Sequence, residues 1–215
     1  MKLYLIRHGR QSSKLCNVDV DLSEAGFRQA ALVGERLWEV PAKIDAVYSS
    51  DLLRAVQTAQ SANIYWNVEH FVRPGLREIS FGDMEGMTDA AIAEQYRDFK
   101  REQQKMERDL AYPGGECAGD VVARALPVFE EMARSGYRRV AVVTHGGVIR
   151  SLIAHFLGMD LAKWRMLAVD LENCSISELD YHEDTGRFYV ERLNDYAHLE
   201  RYPELLRSGW VDEEN

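Results

Sequence analysis

The chain has 215 residues, with 26 Lys plus Arg against 35 Asp plus Glu, and a formal charge of −9. Its 46% hydrophobic and 28% charged residues are those of a globular protein, and a chain of this length buries roughly 70% of its unfolded surface without needing staples. A net negative charge with no basic stripe excludes sustained nucleic-acid binding, but a few pocket arginines can still hold a small anionic substrate.

Leu3–Ile6 is a short apolar run that stops at Arg7-His8-Gly9, the pattern of a buried strand ending in a turn. Ser23 is placed to cap a helix running to about Trp38, in which Ala30, Val33, Leu37 and Val40 recur at helical spacing. Ala46–Tyr48 reads as a second strand, and Ser49, Ser50 and Asp51 offer caps for a helix through about Asn63. Val68–Val72 is a weak strand. The stretch from Gly75 to Gly115 differs: a glycine-bearing loop leads into a long polar helix predicted from Thr88 to about Asp109, closed by Tyr112-Pro-Gly-Gly115. A helix is expected over roughly Gly119 to Arg134, then the clearest buried strand, Val140–Val143. That strand ends at Thr144-His145-Gly146-Gly147 and runs into a helix to about Leu157. Ser175–Tyr181 and Arg187–Leu193 bracket a turn and read as a hairpin. Beyond Asp195 the tail is polar, with Tyr196, Tyr202 and Trp210 left to form an interface or to pack on the domain.

Alternating strands and helices imply one three-layer α/β/α sandwich over residues 1–215 with a mostly parallel mixed sheet, a terminal antiparallel hairpin, and a small helical lid insertion at about 75–115. No apolar run approaches the ~20 residues of a membrane span, and the apolar stretch after Met1 breaks at Arg7, too soon for a signal peptide. Cys16, Cys117 and Cys174 are odd in number and scattered, so neither a disulfide framework nor a zinc site is expected, and a reducing cytoplasm fits.

His8 and His145 occupy matching places, each just past the carboxyl end of a buried strand, where ligand crevices open in α/β sheets. If the two strands are neighbours, the imidazoles converge. Arg7 adjoins His8, and Arg54 lies in the first turn of a helix; a guanidinium fork and a helix N-terminus both suit phosphoryl oxygens. Glu78 lies in Leu76-Arg-Glu-Ile79, just before Phe81-Gly-Asp-Met-Glu-Gly86; a carboxylate there can protonate a leaving oxygen, with Asp83 and Glu85 as competitors for that role. A cysteine phosphatase needs Cys, five residues, then Arg; position 123 is Ala, with Arg124 one residue late, and positions 22 and 180 are Leu and Asp. No GxxxxGK[ST], GxGxxG, GxSxG or HExxH occurs, which removes the main support for kinase, dehydrogenase, serine hydrolase and zincin chemistry.

Leu5-Ile-Arg-His-Gly9 resembles the RHG signature of the histidine phosphatase superfamily, the phosphoglycerate-mutase-like family. Further blocks are similar in the same order: Leu22–Ala30, Tyr48–Ala59, Leu76–Gly86, Pro113-Gly-Gly-Glu116 with Cys117 in a serine position, Val143–Arg150 and Asn173–Ile176. The resemblance covers most of the chain. It implies a metal-independent phosphomonoesterase with no cofactor, acting on a small phosphorylated metabolite such as α-ribazole phosphate or a sugar phosphate. His8 would be the nucleophile, Glu78 the acid and then the base, and Arg7, Arg54, His145 and Gly146 the phosphate binders. Three residues depart from the pattern. After RHG stand Arg10 and Gln11, and Asn17 comes late for a phosphate ligand; Arg10 either adds positive charge to the pocket or points to solvent. A cofactor-dependent phosphoglycerate mutase is the alternative, although mutases of this type are usually longer in the middle. A non-catalytic phosphate-binding module is a third reading, which the intact Arg7, His8, Arg54, Glu78 and His145 disfavour. A monomer or homodimer is expected, with no nucleic-acid or membrane partner.

Overall fold

The computed structural model describes residues 1–41 and 43–209. Apolar residues alternate along the strands, and this alternation divides the core in two. Leu3 and Leu5 of β1 (Lys2–Arg7) face one layer with Val140 and Val142 of β4 (Arg139–Thr144), while Tyr4, Ile6, Ala141 and Val143 face the other. Helices α1 (Glu24–Trp38) and α2 (Leu53–Trp66) cover the second face through Ala30, Val33, Leu37, Ala55, Ala59 and Ala62. Helices α5 (Ala118–Arg134) and α6 (Gly146–Phe156) cover the first through Val121, Ala125, Phe129, Ile149 and Leu152. With β2 (Ala46–Ser49), β3 (Glu69–Val72), β5 (Ile176–His182) and β6 (Arg187–Asp195), the sheet has the order β3-β2-β4-β1-β5-β6. The first four strands are parallel, and the terminal hairpin pairs antiparallel with β1. This is the expected three-layer α/β architecture.

Local signals act as read in several places. Ser23 caps α1, its Oγ accepting from Gly26 N at 3.2 Å. The hairpin closes through Gly186 (φ 65°), whose N–H donates to His182 O.

The long polar helix expected from Thr88 to Asp109 is instead two: α3 (Asp89–Gln95), capped by Thr88 Oγ1, and α4 (Arg97–Lys105). The distortion lies at Tyr96 (φ −112°, ψ 27°), whose ring packs against the core, and no glycine or proline marks it. Met106, left-handed at φ 53°, ends α4 early, because the chain turns back to bury Tyr112 against Phe81 and Phe99. Asp109, expected inside the helix, instead accepts from Ala118 N and Gly119 N and caps α5. The tail packs on the domain. Leu199 and Leu205 are buried, Tyr196 lies against the second core layer, and Tyr202 is half-buried, while Trp210 falls outside the described residues. Among the described residues no helix is long and apolar enough to cross a membrane.

Candidate active site

The site forms where two parallel strands end together. Arg7 of β1 is in register with Thr144 of β4, so His8 and His145 follow on adjacent strands, and His8 N donates to Thr144 O at 2.9 Å. Their ring centroids are 5.0 Å apart. Strand adjacency, which the sequence left conditional, brings the two imidazoles together.

The turn after His8 is held by residues the sequence blocks contain. Gly9 lies so close to α1 that a Cβ would stand 2.6 Å from Gly26 O, and Gly9 N donates to Thr58 Oγ1 at 2.9 Å. Arg10 N donates to Gln29 Oε1 at 2.8 Å, and Ser23 Oγ donates to Arg10 O at 3.0 Å. Asn173 Nδ2 donates to the His8 carbonyl at 2.8 Å. His8 Nδ1 lies 2.7 Å from Gly9 O, a distance that makes Nδ1 the protonated nitrogen and leaves the Nε2 lone pair free. Burial first, then Arg54 and Arg7, holds His8 well below the usual histidine range, so the ring is neutral. His145 is lowered by burial, Arg54 and His8 in turn.

The cations are held mainly by main-chain carbonyls and amides. Arg54 is 2% exposed, although it lies in the first turn of a helix. Its Nη1 donates to Val18 O at 2.9 Å and its Nη2 to Asn17 Oδ1 at 2.7 Å. Arg7 donates through Nη1 to Leu171 O, and burial, with Arg207 next, pushes its pKa down to about 10. Arg7 Nε, Arg54 Nε and both ring nitrogens of His145 are buried without a hydrogen-bond partner. Buried polar atoms are ordinarily satisfied, so the two guanidinium Nε–H groups and the single ring N–H of a neutral His145, grouped around His8, are left for the oxygens of a ligand.

Glu78 lines the same cavity as Arg7, His8 and Arg54. Its Oε1 accepts from Ile79 N at 2.8 Å and from Gly147 N at 3.0 Å, at the start of α6. Arg124 pins this segment, donating to Gly75 O and Glu78 O and pairing with Glu116, which in turn accepts from Ser80 N. Glu85 faces away, its Oε1 taken by Asn17 Nδ2, Ser80 Oγ and Phe81 N, and neither Glu85 nor Asp83 lines the cavity.

An open cavity of about 940 Å³ fronts the site, and Arg7, His8, Arg10, Asn17, Arg54 and Glu78 all line it. His145, beside His8, is at 0% exposure and does not line the cavity. Gly146 begins α6 beside Arg7, a Cβ on it standing 3.8 Å from Arg7 Nε. Arg10 therefore lies at the pocket rather than away from it. Asn17, with its amide divided between Arg54 and Glu85, braces Arg54. Residues that sequence reasoning missed are Asn173, Lys14 and Arg207 on the cavity wall, and Gly147, Glu116 and Arg124 behind Glu78. Asn173 and Glu116 sat in recognised blocks without an assigned role. Arg207 has no local signal at all; the folded tail brings it in. Among the described residues no group of three His, Cys, Asp or Glu is arranged to hold a metal ion.

Comparison with known proteins agrees with this geometry. The family model of the histidine phosphatase superfamily (branch 1) matches residues 3–196. Phosphoserine phosphatase 1 of Hydrogenobacter thermophilus is 32% identical over 209 residues, covering 93% of this chain and 94% of that protein. The metal-independent phosphoserine phosphatase of Arabidopsis thaliana is 31% identical, over 92% of this chain and 83% of its own. Among solved structures, a mycobacterial glucosyl-3-phosphoglycerate phosphatase superposes with a TM-score of 0.79 at 30% identity, covering 90% of this chain and 98% of that one.

Proposed function

The chain belongs to the histidine phosphatase superfamily and is a phosphoric monoester hydrolase, and from that premise we propose that it hydrolyses a small phosphorylated metabolite through a phosphohistidine on His8, without a metal ion. The observation that carries the reading is the cluster of four buried, unpartnered nitrogens on Arg7, Arg54 and His145, three of them able to donate, around a neutral, oriented imidazole. His8 Nε2 attacks phosphorus, and the bond from phosphorus to the leaving oxygen breaks. Arg7, Arg54 and His145, with the Gly146 amide, hold the non-bridging oxygens and stabilise the charge that grows on them. Arg10 adds positive charge at the mouth, and Asn17 holds Arg54 to its task. Glu78 delivers a proton to the departing alkoxide from Oε2, the oxygen that makes no hydrogen bond among the described residues. The same carboxylate then takes a proton from the water that cleaves the phosphohistidine, releasing inorganic phosphate and restoring His8. The fixed guanidinium groups occupy the electrostatic role that divalent cations play elsewhere. Phosphoserine, sugar phosphates and α-ribazole phosphate are the substrate types this reading brings forward.

The test is hydrolysis of p-nitrophenyl phosphate in excess EDTA, wild type beside His8→Ala. Turnover by wild type alone supports the reading. Turnover that survives His8→Ala removes the phosphohistidine, and no turnover in either shifts weight to phosphoglycerate mutase activity, assayed with 3-phosphoglycerate and bisphosphoglycerate.

A further inference from the structure

A second cavity, of about 600 Å³, opens beside the catalytic one and shares Cys16, Phe81 and Asp89 with it, so the two adjoin along that wall. Its floor is apolar, made by Phe81, Met84 and Ile92. Its far wall is α4, which contributes Arg97, Lys100 and Arg101. The basic residues of this helix are not equivalent. Arg101 pairs with Asp98 at 3.0 Å, and Lys105, outside the cavity, pairs with Glu102 at 2.6 Å. Lys100 is half-buried, yet among the described residues its ammonium has no ion pair or hydrogen bond, and the Arg97 guanidinium has none either. Burial, with Arg165 next, lowers the Lys100 pKa, against a smaller opposing effect of Cys16 and Asp89, so these neighbours do not compensate the buried cation.

We infer that the phosphomonoester hydrolysed here has an extended leaving group, an apolar body ending in a second anionic group that Lys100 and Arg97 receive. The inference rests on the phosphatase reading above and deepens it. Three features select for length. A cavity of several hundred cubic ångströms accommodates a ligand well beyond a three-carbon metabolite. The floor between the two cationic regions is apolar, so the middle of the ligand gains from burial there. Asp89 lines both cavities, and its carboxylate disfavours an anion placed against it, so the second anion is best received on the α4 wall, by Lys100 and Arg97 together. Shape and charge together favour a ligand with negative groups at its two ends and a neutral centre.

The experiment uses a ruler of phosphate monoesters. For chains of three to eight carbons, kcat/KM is measured for each ω-phosphooxy carboxylate and for the n-alkyl phosphate of equal length, with p-nitrophenyl phosphate as the wild-type control. Within one variant the ratio of the two esters cancels any general loss of activity. In wild type the carboxylate advantage should peak at an intermediate length at about tenfold or more, as expected for one charge-assisted contact. In Lys100→Met, and further in Lys100→Met with Arg97→Gln, the advantage should fall towards one. Lys105→Met, on the same helix but outside the cavity, should keep the wild-type ratio. An absent carboxylate advantage at every length, or an advantage that survives the double variant, overturns the inference while leaving p-nitrophenyl phosphate turnover intact. Absence of that turnover in wild type removes the phosphatase reading and this inference with it.

Discussion

Gly147→Ala is the sharpest test of how Glu78 is positioned. A Cβ on Gly147 would stand 2.4 Å from Glu78 Oε1 and 2.6 Å from Ile79 Cγ2. The carboxylate can swing away, but Ile79 is 1% exposed and β-branched, so it yields little. The substitution therefore drives the carboxylate off the start of α6 and breaks its 3.0 Å bond from Gly147 N. A hydrogen bond to a charged group contributes about 1.5–3 kcal/mol, and a positioned general acid contributes roughly 10²–10⁴ in rate. The expected result is a fall of roughly 10²-fold in kcat/KM on an alkyl phosphate, whose leaving group needs the proton, and less than about tenfold on p-nitrophenyl phosphate, whose leaving group does not. Thermal denaturation should show a loss of about 1–3 kcal/mol from overpacking, so kinetics are read well below the transition. Glu78→Gln should produce the same split, and the double variant should be little worse than Glu78→Gln alone, because both remove one function. Equal losses on the two substrates, or additive losses in the double variant, would refute the assignment of Glu78 as the acid.

Asn17→Ala should raise the inhibition constant of inorganic phosphate and lower kcat/KM by about tenfold for every phosphomonoester, because the Nη2 arm of Arg54 loses its 2.7 Å acceptor; an unchanged phosphate affinity would show that Val18 O alone fixes that guanidinium. Stability should fall as pH drops below about 6.5, the unfolded histidine pKa, because unfolded histidines bind protons that buried His8 and His145 refuse. His198, held down to about 4 chiefly by burial, adds to the same slope, up to about 1.4 kcal/mol per pH unit for each such histidine. Urea midpoints at pH 7.5 and 5.0 read this directly: His198→Leu should flatten the dependence by one proton, and a pH-independent midpoint would contradict the buried neutral state.

Much of this site is written locally. An apolar run cut off by Arg-His-Gly, and another cut off by Thr-His-Gly, places each histidine at a strand end, since burial and turn chemistry act over a few residues. Ser23, Gly26 and Gln29 were legible as a block, and their purpose became physical only once Gly9 and Arg10 were seen lying against them. The kink at Tyr96 had no local mark, because it answers to packing against the core rather than to a breaker residue.

The sequence by itself therefore determined the strand ends, the starts of α1, α3 and α6 and the kinds of chemistry each could carry, all set by neighbours within a turn or two, whereas α2 starts at Leu53 without a side-chain cap from Ser49, Ser50 or Asp51. Tertiary structure decided that β1 lies beside β4, that Asn17 reaches Arg54, that Gly147 receives Glu78 and that the tail brings Arg207 to the cavity. Those contacts join residues far apart in the chain, and their geometry follows from strand pairing and close packing, which local periodicity does not encode.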